Sequence, residues 1–505
     1  MLQIETSAVN SILQELESFE NPEASVERGP TRFDSLDDSS IAKWLAHDRL
    51  RNLIAYNGAF EWLAYNGKFW KRVGRHEIVE LVRREHDAAV SNAFTTMKDA
   101  EEMRRLLTLL NTPKIRHVVD LLKGLVHVDP ELFDSHPDLL NVGNGIVNLR
   151  TGALEPHDPQ AYLTKFVATE YFPVRTHSDW DKALRALPAE DMRWMQIRFG
   201  QGLTGYMTPD DVLPILVGGG SNGKSTILVG IATAVGPYQT TIPEKVLLAN
   251  PSDHPTELMT LRGVRLGFIE ELPEGKHLPV KRLKDLLGTP KLSARYAHKD
   301  NVEWDVTHSL FVTTNYLPAV DEVDHGTWRR LKIVRFPYKF VPHGAPSNAN
   351  EISGDAGLRD RMLVGGEGRA EAVLSWLVEG AVKYFRDPDL LHAVPPRIEN
   401  ESASWRFEVD KLGKFLSEAV EFDHDAWVAS TDLFASFTEW LRANGFSPWS
   451  EQTFAARLGS HEEFSNRGVE KKRISSSRAG RSNRFSIGGA TGAQLSAWVG
   501  VKFKC

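Results

Sequence analysis

Apolar positions along this chain follow different rhythms in different regions, and each rhythm predicts its own kind of element. Stretches such as HEIVELVRREHDAAV, MRRLLTLL and KIRHVVDLLKGLV space apolar residues three and four apart, which predicts amphipathic helices. WLAYNGKFWKRV and LLNVGNGIVNLRTGALEP alternate instead around Asn66-Gly67 and Thr151-Gly152, which predicts hairpins. Together these stretches outline an α+β accessory domain over residues 41–180. Ahead of it, residues 1–40 form an acidic arm that ends in Pro, Asp and Ser, read as a short helix on a mobile tether.

A helical segment, DWDKALRALPAEDMRWMQIRFGQGLTGYM, leads into a region with another pattern. From Val212 to Phe340 short, continuously apolar runs alternate with helical stretches, the signature of a mainly parallel sheet buried on both faces. This motor region is assigned to residues 181–396. After Pro395-Pro396, DKLGKFLSEAV, STDLFASFTEWLRANG and SEQTFAARLGS read as short helices, and a basic ribbon, NRGVEKKRISSSRAGRSNRFSIGG, follows them. Residues 397–505 are therefore expected to form a winged-helix-like domain.

The densest chemistry lies at GGGSNGKST, directly after the apolar VLPILV and before STILVGIATAV. Gly218, Gly219, Gly220, Ser221, Asn222, Gly223, Lys224, Ser225 and Thr226 supply a phosphate-binding loop between strand and helix. Glycines let backbone N–H groups turn inward around phosphates at a helix N-terminus. Lys224 then reaches the β/γ-phosphates and Ser225 a Mg²⁺ ion, so ATP and Mg²⁺ are the expected ligands. About forty residues on, RGVRLGFIEELPEG gives a strand closing on Glu270-Glu271. Such a pair can assist the metal and activate water; on its own a solvated acidic turn explains it equally well. HSLFVTTNYLP then ends a strand on Asn315, a group able to orient the attacking water, and DHGTWRRLKIVRF puts Arg329 and Arg330 before another strand. Adjacent arginines are usually a surface pair; in a ring ATPase they can reach the neighbour's nucleotide.

These elements, in this order and spacing, resemble the superfamily 3 helicases, specifically the phage and plasmid primase–helicase family related to the poxvirus primase–helicase. The residues that carry the resemblance are Asn222 to Ser225, the Glu270-Glu271 strand, LKDLLGTPKLSAR with Lys284, Gly288 and Arg295, the TTN strand end and WRRL. Looser likeness extends over about residues 41 to 490. The resemblance implies an α/β fold with an AAA+-like P-loop motor, and a hexameric ring that hydrolyses ATP while translocating on DNA, generally 3′ to 5′. Within it Glu271 would be the base, Glu270 would assist Ser225 at the metal, and Asn315, Arg329 and Arg330 would complete the site. PKLSARYAHKDNVEWDVTH reads as a hairpin around HKDN. In the resembled helicases a hairpin here grips DNA in the ring channel, which would set His298 and Lys299 on phosphates; on residues alone it is a surface hairpin with a solvated lysine.

Composition narrows the reading. At 505 residues the chain has room for about three domains. No apolar run approaches the ~18 residues of a membrane helix, and the N-terminus lacks a secretory pattern, so a cytoplasmic location in a bacterial host and no membrane partner are expected. The single cysteine, Cys505, excludes an intrachain disulfide and a thiolate zinc ribbon. Without that ribbon, a His-hydrophobe-His nicking motif or a credible acidic cluster outside the motor, priming and nicking are not expected of this chain, which leaves room for a separate primase or polymerase as partner. With a net charge of −7, attraction to DNA must come from local clusters. Lys471, Lys472 and Arg473 begin one such run, which continues through Arg478, Arg481 and Arg484 and reads either as a DNA-binding wing or as a disordered Ser/Arg tail. Two rivals to the helicase remain: an initiator or loader that remodels a DNA complex without unwinding, and a metabolic P-loop enzyme, against which Asn315, the arginine pair and the basic hairpin argue.

Overall fold

The computed structural model describes residues 35–96, 99–248, 255–272, 276–296, 300–320, 325–341, 346–481 and 494–504. Two compact units emerge, one made of the chain up to Thr176 with Ile231–Tyr238 and Gly365–Val382, the other of the remainder.

The first unit is α+β. The first of its described helices, Asp38–Trp44, starts inside the stretch assigned to the arm, because Asp37 caps it by accepting from Ser40 N at 2.9 Å and Ile41 and Ala42 are fully buried. The predicted helices appear at Arg75–Thr96, Ala100–Leu107 and Thr112–Leu125. Val82, Leu109, Val118, Val119 and Leu122 meet Ile41 and Leu45 in one core. Both hairpins form. Glu61–Tyr65 pairs with Trp70–Val73 around Gly67 at φ +90, and Gly145–Asn148 pairs with Ala153–Glu155 around Gly152 at φ +75. Each gains a third strand, Ile54–Asn57 and Leu139–Val142 respectively.

The second unit is built on five parallel strands in the order Leu331–Arg335, Leu213–Val217, Ser309–Thr314, Leu266–Glu270, Gln239–Ile242. Alternate residues serve opposite faces. Ile215, Ile269, Val312 and Ile333 pack with Leu283, Leu286 and Leu287 of the helix Val280–Gly288. Phe268 and Phe311, paired in register, meet Phe199 at 6.1 and 4.7 Å. Phe199 belongs to Ala189–Leu203, so the single helical segment expected there is two helices, Ser178–Leu184 and Ala189–Leu203, separated at Pro188.

Helix Pro396–Val409, just past the assigned motor region, covers the edge strand Leu331–Arg335. Ile333 N donates to Ser402 Oγ at 2.9 Å, flanked by the ion pairs Lys332–Glu399 and Arg335–Glu401, both at 2.8 Å. Covering an edge removes its free hydrogen-bonding groups from solvent. Trp405 on this helix crosses Trp328 edge-on at 5.0 Å inside the motor core.

Beyond it the winged-helix-like domain has the expected helices Lys411–Ala419, Ser430–Ala443 and Glu451–Gly459, and an antiparallel sheet ordered Val420–Ala429, Gln494–Phe503, Glu470–Ser475. The strand Val420–Ala429 is one that the sequence pattern does not predict. Among the described residues no helix is long and apolar enough to cross a membrane.

Trp405 lies only 2 % exposed, and truncating a buried tryptophan to Ala costs about 3–5 kcal/mol. Trp405→Ala should therefore lower motor stability by that order in urea unfolding. A loss below ~1 kcal/mol would mean that the helix is no part of the motor core.

Candidate functional site

Parallel register decides which candidates meet. Leu216, Thr313 and Glu270 lie in one row across adjacent strands, and Val217 pairs with Thr314 in the next. Gly218 N donates to Thr314 O at 3.4 Å, and Glu271 N to Thr313 O at 2.9 Å. The glycine-rich loop, Glu270, Glu271 and Asn315 therefore emerge on one rim, with the Asn315 strand between the other two. Neighbouring strands are ~4.8 Å apart, so Glu270 stands about two spacings from the loop strand. Glu270, Glu271 and Asn315 are all exposed, and Glu271 takes φ +55, which breaks the strand and turns its side chain out of the alternation.

The loop itself is tightly determined. Gly223 sits at φ +86, where an added Cβ would come within 2.7 Å of Ala186 Cβ; at Gly218 it would meet Asn222 Nδ2 at 2.1 Å. Phe340 N donates to the Ser221 carbonyl at 2.7 Å and so braces the loop from outside. Helix Lys224–Val235 begins immediately, with Lys224 N donating to Asn222 Oδ1 at 3.4 Å, and a helix start of this kind suits an anion. Lys224 is 9 % exposed and donates to the Gly218 carbonyl. Burial pushes its ammonium down from 10.5 to about 8. Asn222 is buried too, and its Nδ2 has no hydrogen-bond partner. A buried cation beside an orphaned donor fits a polyphosphate, whose oxygens would satisfy both. Ser225, exposed, and Thr226 open the helix, while Gly219 and Gly220 have nothing near an added Cβ.

Arg329 and Arg330 lie elsewhere. They precede Leu331, which pairs with Leu213, so they occupy the opposite rim of the sheet, ~13 Å of strand from Val217. Both donate to Asp211 Oδ2, Arg330 at 2.7 Å and Arg329 at 3.2 Å. Their side chains are 12 % and 52 % exposed. Sequence reasoning missed Asp211 because PDDV before a strand is indistinguishable from an acidic turn. It missed Phe340 because a main-chain bond leaves no mark in side-chain pattern.

The expected hairpin is present as Lys291–Ala294 paired with Val302–Asp305, its base held in the motor core by Leu292 and Ala294. His298 and Lys299 lie outside the described residues. Lys471, Lys472 and Arg473 are exposed on the strand Glu470–Ser475, and Arg481 bonds to Asp432 at 2.9 Å. Lys471, Lys472 and Arg473 thus belong to a strand of the sheet, and Arg481 makes an isolated bridge to Trp427; Arg484 lies outside the described residues.

Comparison with known proteins agrees with the resemblance. Residues 41–188 match the family described as D5 N terminal like, and residues 408–486 the one described as Poxvirus D5 protein-like. A candidate primase of African swine fever virus is 25% identical over 331 residues, covering 62% of this chain and 34% of its own length. A candidate helicase of Acanthamoeba polyphaga mimivirus is 22% identical over 373 residues, covering 70% and 38%, and one of Frog virus 3 is 24% identical over 246 residues, covering 47% and 25%. The chain thus spans about a third of the length of the curated relatives it matches. Among solved structures, the apo NrS-1 C terminal region is similar at a TM-score of 0.45 and 11% identity, covering 92% of this chain and 100% of that one. The likeness to the primase–helicase family is borne out by the two family matches and the viral relatives.

Because burial pushes the free Lys224 ammonium down to about 8 and bound phosphates would restore its charge, ATP binding should take up a proton between about 8 and the usual 10.5. Affinity should fall as pH rises through that window, while the free protein, whose unfolded chain holds more protons there, gains stability. Calorimetric titration in buffers of different ionisation enthalpy reads the uptake; Lys224→Arg should flatten it. An affinity independent of pH across the window would contradict the assignment.

Proposed function

We propose that this chain is the ATP-driven motor of a DNA replication helicase of the superfamily 3 type, encoded by a phage or mobile element. The observation that carries the reading is the convergence of the phosphate-binding loop, Glu270, Glu271 and Asn315 on one rim of a parallel sheet, with an arginine pair on the other. Lys224, Asn222 and the loop N–H groups hold the polyphosphate. Ser225 and Glu270 would hold Mg²⁺, which lowers the charge at the phosphates. Glu271 takes the proton of the attacking water, and Asn315 orients that water. The arginines stand too far from their own subunit's loop to serve it, which supports action on a neighbour's nucleotide and hence a ring, a hexamer by family likeness. Such an arginine contributes on the order of 10³ or more to turnover in other NTPases.

DNA contact is assigned to Lys299 and His298, which lie in the sequence between the two strands of the motor hairpin, and to Lys471, Lys472 and Arg473. A ring that follows phosphates through few cations per subunit is tolerant of sequence, as a motor requires. Translocation 3′ to 5′ and a separate primase or polymerase as partner belong to the same proposal. The ordered basic strand of the winged domain favours a second reading, an ATP-dependent initiator or loader that binds DNA without processive unwinding.

Forked DNA with a 3′ or a 5′ tail separates the readings. The helicase should displace a strand from the 3′-tailed fork with ATP, and its hydrolysis should rise on adding DNA. Lys224→Ala should abolish both while remaining folded, and Glu271→Gln should bind ATP without splitting it. DNA-stimulated hydrolysis with no displacement on either fork would support the loader.

A second measurement concerns the wing. Replacing Lys471, Lys472 and Arg473 by Ala should flatten the salt dependence of single-strand binding by ~0.7 in log–log slope for each phosphate that the wing no longer neutralises. DNA-stimulated hydrolysis should survive at saturating DNA. Its disappearance would move DNA engagement from the motor to the winged domain.

A further inference from the structure

We propose that Asp211 is the positioning residue of the arginine pair, and that it divides the pair into an anchor, Arg330, and a mobile arginine, Arg329, which acts on a neighbouring subunit's nucleotide. This rests on the ring reading above and deepens it.

The two arginines share one carboxylate oxygen but not one environment. Arg330 is largely buried. It donates to Asp211 at 2.7 Å and to the Gly326 carbonyl, and its own carbonyl accepts from Leu213 N at 2.6 Å. Removing Asp211 would leave this guanidinium buried without a countercharge, which is strongly unfavourable. Arg329 is half exposed and meets the same oxygen at a looser 3.2 Å. Among the described residues Asp211 is its only hydrogen-bonding partner. Exposed pairs of this kind hold weakly and break in water. A competing phosphate can therefore draw Arg329 away, while Arg330 stays and keeps Asp211 in place.

The backbone gives Asp211 a second property. It takes φ +56, a left-handed conformation uncommon for residues other than Gly, Asn and Asp. That turn sends adjacent carboxylates in different directions: Asp210 grips Arg198 at 2.7 Å, and Asp211 faces the arginine pair. Two residues later Leu213 begins the strand that ends at Val217, next to Gly218. One short, fully buried strand thus has the phosphate-binding loop at one end and the arginine holder at the other.

The test compares turnover in Asp211→Asn, Arg329→Ala and the double variant. Arg329→Ala should lower kcat by ~10³-fold. Asp211→Asn keeps the shape but not the charge, and should lower kcat by up to ~10²-fold, the effect of misplacing a reacting group by about an ångström, with KM for ATP unchanged. The double variant should be no slower than Arg329→Ala alone, because both remove the same contribution. Asp211→Asn subunits mixed with Lys224→Ala subunits should regain activity, since an intact loop would face an intact arginine; a misfolded Asp211→Asn protein would not. Should Asp211→Asn fail to fold, Arg330→Lys loosens the same anchor, and its drop in kcat should likewise vanish in an Arg329→Ala background. If Arg329→Ala is essential but Asp211→Asn turns over normally, or if their effects multiply, the positioning role is overturned and the ring reading stands. If Arg329→Ala turns over normally, both fall.

Discussion

Five strands running in the same direction impose the constraint on which the rest of this molecule depends. Parallel pairing sorts residues by strand end, so whatever follows a strand arrives on one rim and whatever precedes it arrives on the other. The phosphate-binding loop, Glu270, Glu271 and Asn315 all lie at strand ends. Arg329, Arg330 and Asp211 all precede strands. The separation between the rim that carries the glycine-rich loop and the rim that carries the arginine pair is a consequence of register, and no side-chain substitution on the surface alters it.

The nucleotide rim is held in a form that suits a ligand better than it suits the free protein. Lys224 is buried against a single carbonyl with its ammonium pushed down by desolvation, Asn222 keeps a buried donor without a partner, and Ser221 and Gly223 both take positive φ. The buried cation, the orphaned donor and the left-handed serine are each unfavourable by themselves, and glycine at position 223 is what allows the remaining positive φ without strain. Their persistence depends on surroundings that leave the loop no alternative: Phe340 bonded to Ser221, Ala186 packed against Gly223, and a strand before it buried at every position. A polyphosphate would relieve the orphaned donor and the uncompensated cation together, so strain retained by the fold would become preference for such a ligand.

Legibility in the sequence followed the range of the interaction. The loop, the two hairpins of the first unit and the strand ends at Glu270 and Asn315 are written within a few consecutive residues, and glycine marks the turn of the loop and of each hairpin. The strand Val420–Ala429 was not legible, since its polar middle, FDHDA, hides the pairing with Gln494–Phe503 some seventy positions later. Nor was the role of Pro396–Val409: its proline signals a new beginning, yet its serine and tryptophan complete the edge and core of the motor. Arg329 and Arg330 look alike as neighbours in a string. Only the approach of Asp211, more than a hundred residues earlier in the chain, makes one an anchor and leaves the other exposed.

Helix Ala189–Leu203 shows how ion pairs can serve orientation where they add little stability. Arg198 near its C-terminal half is clasped by both oxygens of Asp210 while stacking on Trp194, and Asp191 near its start is held by Arg397, which also reaches the Arg335 carbonyl. Burial pushes the Asp191 carboxyl up, and Arg397 only partly offsets it. Replacing such pairs by apolar groups is often neutral or stabilising, so their value lies in excluding other arrangements. One pair fixes the helix to the start of the loop strand, the other to the end of the arginine strand and the helix covering it. Most of this helix is buried, and its apolar residues, Met192, Met195, Phe199 and Leu203 among them, supply most of its packing without fixing its angle by charge. With a charged contact near each end it cannot slide or rotate on the sheet without stranding a buried ion, and Asp210 and Asp211 then hold the start of the loop strand between arginines from different parts of the motor.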